Sequence, residues 1–420
     1  MNVSSQGRID RSVLKYVDPS TSGRTDLRLR RGDVLFNNTN SPELVGKTAL
    51  FDEDDEPAFS NHMTRLRTDP AKLDPAYLAL RLHQAWREGY FAEHCNNHVS
   101  QASVSRDVLR DFQTELPPLE VQQAIVALSR SVDGRGISSR NHLAAAKRAV
   151  ERFRQAVLAA ACSGSLTADW REDTKEALGK ALLNEIDYLR NRQYREPAAD
   201  WEFDIPETWE LVSLDRLTTL TTSGSRGWAK YYSQDGPRFI RAQNISTDRL
   251  NLQDIAHVRP PRGSEGERTQ VQKDDLLVTI TGANVTKSAF VDRDIGEAYV
   301  NQHVALVRPV LPELSEYLHL WTVSPRHGRK KLSADAYGAG KPGLNLDNIR
   351  TMPVGLPPLD EQAEIAARVR TLLTLADHVA ERTVAAVHQV TRSSQAVLAN
   401  AFRGDLMPVD TGAPTADEEA

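Results

Sequence analysis

Apolar residues recur at spacings of three and four along two long stretches of the chain. Between residues 119 and 163 they are Ile125, Leu128, Val132, Val150, Phe153, Val157 and Ala161. Between 360 and 402 they are Ile365, Val369, Leu372, Ala376, Val387, Val390, Val397 and Leu398. That period places them on one face of a helix. Pro117 and Pro118 stand at the entry of the first helix, where proline is tolerated, and Gly164 follows as a stop. Gly134 and Gly136 are expected to interrupt or kink it. Each apolar stripe is longer than one neighbouring domain would cover, which predicts that the two helices pack antiparallel on each other. About 40 residues make a rod of roughly 60 Å.

The rest of the chain has a different texture. Val34–Phe36 and Thr48–Phe51 read as adjacent strands, and Asp52–Glu56 as a solvated acidic turn. Pro75–Glu88 reads as a helix. Phe239–Arg241, Asp275–Ile280 and Val304–Val307 are candidate strands in the second half. Residues 167–200 are charged, with little periodic apolar content after Ile186 and Leu189, which predicts a helical linker or spacer. The predicted fold class is α+β, with two globular domains (1–115 and 201–355), each followed by a long helix (116–166 and 356–408). A disordered tail is expected over 409–420.

The two halves are one unit written twice. Leu116-Pro117-Pro118-Leu119 is matched by Leu356-Pro357-Pro358-Leu359, and Gln155-Ala156-Val157-Leu158 by Gln395-Ala396-Val397-Leu398, both at a shift of 240. So strict a length suits a helix of fixed reach, not a loop. Asp33-Val34-Leu35-Phe36 matches Asp275-Leu276-Leu277-Val278 at 242. Arg67 falls against Arg308 at 241, and Lys47 against Lys287 and Tyr77 against Tyr317 at 240. The match starts at Asn2 against Asn244, so the first copy is expected to be short of a counterpart for Trp201 to about Arg241, either because the start is placed late or because the first domain is truncated.

Composition changes this picture little. Of 420 residues 40% are hydrophobic and 26% charged, which is ordinary for domains with real cores. Cys95 and Cys162 form no CxxC pair, and no apolar run approaches the roughly 18 residues of a membrane span. A reduced, cytoplasmic protein is expected. The net charge of −5 argues against binding nucleic acid through bulk charge but leaves local basic loops free to do so.

No catalytic constellation stands out, and an enzyme is not expected. Gly338–Pro342 lacks the early glycine and the Ser or Thr of a phosphate loop, since Asp335 and Pro342 occupy those places. His62 and His303 recur on expected strands with no second ligand nearby, which favours a structural role. Polar and basic residues instead gather in loops. Gly224–Tyr232 combines flexible backbone with Arg226, Trp228, Lys230 and Tyr231, and is followed by Arg238, Arg241 and Asn244. Asn37, Asn38 and Lys47 in the first domain occupy loops matching those of Asn284 and Lys287 in the second, and Gln101 matches Lys341. Arg and Asn or Gln can hold base edges in bidentate pairs, and Lys and Arg can position phosphates. These residues are the candidate DNA contacts.

The doubled Leu-Pro-Pro-Leu module, with a long helix closing in Gln-Ala-Val-Leu and a globular domain before each copy, resembles the specificity subunit of type I restriction–modification systems. The resemblance spans roughly residues 1–408. It implies a non-catalytic protein with two target recognition domains, each reading half of a split site on double-stranded DNA. The helices would form an antiparallel coiled coil within a pseudo-twofold repeat and act as a ruler. They would dock two modification subunits, which carry S-adenosylmethionine, and a restriction subunit would join. The chain itself would need no cofactor or metal, and no membrane. Under this resemblance the spacer and partner contacts fall on Leu119, Gln123, Ile125, Gln155 and Leu158 of the first module. Leu359, Gln362, Ile365, Gln395, Leu398 and Phe402 are their counterparts in the second. A scaffold that binds partner proteins without full sequence readout is the alternative.

Overall fold

The structure is a computed structural model. It describes residues 3–12, 14–16, 28–97, 101–174, 179–190, 192–198, 203–224, 227–261, 267–338, 340 and 342–405.

The first half folds into β1 (Val34–Asn37), β2 (Thr39–Asn40), β3 (Thr48–Leu50), β4 (Met63–Leu66), α1 (Pro75–Arg87), α2 (Tyr90–Glu93), β5 (Asn96–Asn97), β6 (Ala102–Ser103) and α3 (Arg106–Arg110). The long helix α4 (Leu119–Cys162) and the short helices α5 (Ala168–Asp173) and α6 (Gly179–Arg190) follow. The second half carries β7 (Glu210–Ser213), β8 (Thr218–Ser223), β9 (Tyr232–Ile240), β10 (Ala256–Val258), β11 (Leu276–Thr279), β12 (Ser288–Phe290), β13 (Ala298–Val300) and β14 (Val304–Pro309). It ends in α7 (Leu314–Val323), α8 (Gly328–Asp335), α9 (Leu346–Arg350), β15 (Pro353–Leu356) and the second long helix, α10 (Leu359–Phe402).

Two compact units result: Met1–Ala144 with Val384–Ala420, and Ala145–Thr383. Each takes one part of both long helices, so the closing module of each helix docks on the other copy's domain. In the first unit Ile125 and Val126 share a core with Ala401, Phe402 and Tyr77, and the Tyr77 and Phe402 rings meet edge-on at 5.7 Å. In the second unit Val157, Ala161 and Cys162 pack with Ile365, Val369 and Tyr317. Arg154 pairs with Asp377 in that unit, and Gly136 stands beside Ser394 in the first. Within each unit, positions that rise along α4 meet positions that fall along α10, which is antiparallel packing. Phe402 and its repeat partner Cys162 cover matching tyrosines. The Cys162 thiol is pushed up to about 12 by complete burial.

Two expectations fail. Gly134 and Gly136 do not interrupt α4, which runs unbroken for 44 residues. Packing of the apolar face that α4 buries elsewhere along its length outweighs the roughly 1 kcal/mol that a helical glycine costs. Residues 167–200 carry helices as expected, α5 and α6, but do not form a free linker. Leu182, Leu183 and Ile186 of α6 enter the main core of the second unit. Arg190 donates to the Thr218 carbonyl at 3.0 Å, and Arg216 pairs with Asp187.

The sheets carry the repeat. In the first unit β1 sits between β3 and β4, all antiparallel. In the second unit β11 sits between β12 and β14, and β8 adds a fourth strand beyond β14. Side chains alternate between two cores: Leu276 and Val278 face one, Leu277 and Leu306 the other. The turn before the central strand needs positive φ in both copies, supplied by Gly32 (91°) and Asp274 (69°). The buried carboxylate after it is clamped identically. Asp33 accepts from Arg67 Nε and Nη2 at 2.7 and 2.8 Å, and Asp275 from Arg308 Nε and Nη2 at 2.8 Å each. At the helix entry, Gln122 and Gln362 each donate at 2.8 Å to the Pro117 and Pro357 carbonyls.

Candidate nucleic-acid interface

The loop leading to β9 is anchored at both described ends. Gly224 lies so close to β13 that a Cβ there would stand 2.0 Å from the Val300 carbonyl oxygen. On the other side Trp228 is buried and stacks on Phe239 at 5.5 Å and 12°. Tyr231, Val258 and Tyr299 complete this small aromatic core. Trp228 is therefore a packing anchor rather than an open stacking face, because its indole is already covered. Lys230 and Tyr232 are exposed, and the Lys230 ammonium lies 5.0 Å from the centre of the Tyr231 ring. Arg226 and Lys341 lie outside the described residues.

Other candidates in the second unit hold the fold together. Asn244 is buried; its Oδ1 accepts from the Arg241 N–H at 2.9 Å, and its amide donates to the carbonyls of Asn251 and Asp254 at 3.0 and 3.1 Å. Arg241 donates to the Asp254 carbonyl, Arg238 to that of Ile295 and Asn284 to that of Ala242. Lys287 pairs with Asp248 at 3.2 Å, and Arg329 binds the same carboxylate. Burial would raise the Asp248 pKa, but Arg329, the Ser288 N–H and Lys287 together hold it below its usual value. A side chain whose donors are spent internally must break those bonds before it can read a base.

In the first unit Asn37 is fully buried and donates to the Leu44 carbonyl at 3.1 Å. Asn38 donates to Thr64 Oγ1 at 3.1 Å. Lys47 is buried, and desolvation lowers its pKa. Gln101 is exposed. His62 and His303 sit in the turns leading into β4 and β14, not on strands.

The partner candidates also divide by burial. Ile125, Gln362, Ile365 and Leu398 are buried within the chain, and Leu119, Leu158, Leu359 and Phe402 are half-buried. Gln123, Gln155 and Gln395 point to solvent. Sequence reasoning missed Trp209, Thr167 and Arg171, which surround the Glu361 carboxylate at the start of α10. Trp209 Nε1 donates to Oε2 at 2.8 Å and Thr167 Oγ1 to Oε1 at 2.7 Å, and Arg171 pairs with Oε1. Val121 holds the matching place in the first copy, so the repeat itself gave no signal for this cluster.

This repeated pair of domains has known relatives. The family model for the type I restriction modification DNA specificity domain matches residues 21–142 and 263–383. The chain belongs to that family. It is 30% identical over 314 residues to the type I restriction enzyme EcoBI specificity subunit of Escherichia coli, an alignment covering 73% of this chain and 61% of that one. It is 26% identical over 296 residues to the EcoKI specificity subunit of Escherichia coli strain K12, covering 69% and 57%. The chain thus spans about three fifths of the length of both relatives. Its fold is similar to a chain solved in work on complex assembly and conformational transition of the type I R-M system, with TM-score 0.69 and 18% identity over 96% of this chain and 90% of that one. It is also similar to the HsdS subunit from Thermoanaerobacter tengcongensis, with TM-score 0.54 and 19% identity over 96% and 88%. Among the described residues, no helix is long and apolar enough to cross a membrane.

Proposed function

We propose that this chain is the sequence-reading, non-catalytic subunit of a type I restriction–modification complex and works in the cytoplasm. Each recognition domain reads one half of a split site on double-stranded DNA. The paired helices set the gap and dock two modification subunits, which bind S-adenosylmethionine and methylate a flipped adenine. A restriction subunit joins for cleavage. The observation that carries this reading is the duplication: two sheets with the same buried Asp–Arg clamp, each followed by a 44-residue helix. Two similar readers joined by matched helices suit a target with two halves. Lys230 and Gln101 are the proposed contacts with the fewest internal ties, and Tyr231 is already tied into the Trp228 aromatic core. Gln123, Gln155 and Gln395 are the solvent-facing candidates for partner docking.

The test is co-expression with the modification subunit, followed by mapping of methylated adenines. A split motif is the expected result. An intact complex without sequence preference would favour a scaffold that has lost readout. Exchanging residues 201–355 for a relative's domain is expected to change one half-site only, and a change in both halves would refute the modular reading.

A further inference from the structure

Both copies carry the same small hairpin beyond the end of their central strand. In the first unit β6 lies between β2 and β5, with Ser103 opposite Thr39 on one side and Asn96 on the other. In the second unit Gly343 stands opposite Thr281 on one side and Tyr337 on the other. The backbone bonds that join the hairpin to the main sheet are repeated as well. The Asn38 N–H donates to the His62 carbonyl at 3.1 Å, and the Val104 N–H to the Asn38 carbonyl at 2.9 Å. Their counterparts run from Ile280 to His303 at 2.9 Å and from Leu344 to Ile280 at 2.8 Å. Tyr337 and Gly343 exchange both of their backbone bonds, at 3.0 and 2.9 Å, so the strand that carries Tyr337 is held on the sheet.

The frame is repeated but its exposed side chains are not. Asn96 takes the place in the first hairpin that Tyr337 takes in the second. Both are exposed, Tyr337 at 63%. Among the described residues, neither side chain has a hydrogen-bond, ion-pair or ring partner. Neither adds to a core, so the frame presents them to something outside the chain. The surroundings suit a polyanion. Acidic residues number 57 in 420, yet none occurs between Glu93 and Asp107 or between Asp335 and Asp347. An asparagine amide can hold adenine N6 and N7 together. A tyrosine hydroxyl both donates and accepts, and its ring offers an apolar edge. Gln101, already a proposed contact, belongs to the first hairpin.

We infer that this hairpin is a base-reading element of each recognition domain, with Asn96 setting specificity in one half-site and Tyr337 in the other. A shared backbone frame brings both to the same place on their domains, and the different side chains make the two halves of the target different. The inference rests on the proposed reading of a split site and names residues that carry it.

The test uses the full chain co-expressed with the modification subunit, and maps methylated adenines for the parent, Asn96→Ala, Tyr337→Ala and a control, Tyr188→Ala. Tyr188 is 85% exposed on α6, outside either hairpin. Asn96→Ala should lower discrimination at a base pair of one half-site by about tenfold, the order set by one base-edge contact. Tyr337→Ala should do the same in the other half only, and Tyr188→Ala should leave the motif unchanged. All three side chains are exposed, so the variants should melt with the parent. The inference is overturned if the parent has a split motif and either hairpin variant leaves it unchanged. It is equally overturned if either lowers methylation at every site by one factor, as loss of a phosphate contact or of stability would. Relaxation of the same half by both hairpin variants, or any relaxation by Tyr188→Ala, overturns it too. A parent without a split motif would sink the proposed readout itself, and the inference with it; a split motif with unchanged variants sinks the inference alone.

Discussion

Glu361→Val tests how the second recognition domain is fixed to its helix. Glu361 lies two residues inside α10, and its carboxylate is fully buried. Trp209 Nε1, Thr167 Oγ1 and Arg171 all donate to it. Valine is what the first copy carries at this place, as Val121. The substitution leaves an indole N–H and a hydroxyl without an acceptor, at about 1–3 kcal/mol for an unsatisfied buried group. It also leaves Arg171 without its carboxylate, and removing one partner of a buried pair costs about 3–5 kcal/mol. Arg171 keeps 17% of its side chain exposed and can partly rehydrate, and valine adds apolar burial. The net expectation is a loss of about 3 kcal/mol, near the low end of the buried-pair range. For a unit of this size that is a fall of about 6–12 °C in Tm. Urea denaturation followed by tryptophan fluorescence measures it. Glu361→Gln, which keeps one acceptor, should lose less, and Arg171→Met in the Glu361→Val background should recover part of the loss. A loss below about 1 kcal/mol would refute the reasoning, because the donors would then have found water at no cost.

Three further outcomes follow from the same geometry. His83, His319 and His327 are each lowered to about 4, first by burial, so the folded chain holds them neutral. Their stabilisation is present above the unfolded value near 6.5 and is lost as pH falls from there toward 4, by about 3 kcal/mol per group. Urea midpoints across that range should fall, and His319→Leu should flatten the slope; parallel slopes would exclude the histidines. Lys230→Ala should weaken DNA binding on all sequences and reduce the salt slope by about one, while Trp228→Ala should destabilise the second unit by about 3–5 kcal/mol. A Trp228→Ala chain of full stability that lost only DNA binding would reverse the roles assigned to these residues. Adding seven residues to each long helix should widen the gap between methylated half-sites by about three base pairs, since the helix gains about 10.5 Å. An unchanged gap would count against the ruler.

The periodic stretches were legible as helices because a long amphipathic stripe has no other way to bury itself. The duplication was legible because matched helices tolerate no change in length. Asp33–Arg67 and Asp275–Arg308 stood at matching positions before any contact was known. Local pattern could not assign burial among the loop residues. Trp228 and Asn244 have the residue types of base readers, and only the tertiary structure commits one to an aromatic core and the other to three internal hydrogen bonds. It likewise folds the charged 179–190 segment onto the second core through Leu182, Leu183 and Ile186; their helical spacing is visible in the sequence, but not the surface they cover. The exchange of helix ends between the units is also a tertiary fact. A repeat shows that two segments are alike, but not which copy of a surface each one covers. That is decided by the antiparallel packing of α4 against α10, which carries the end of each helix to the other copy's tyrosine.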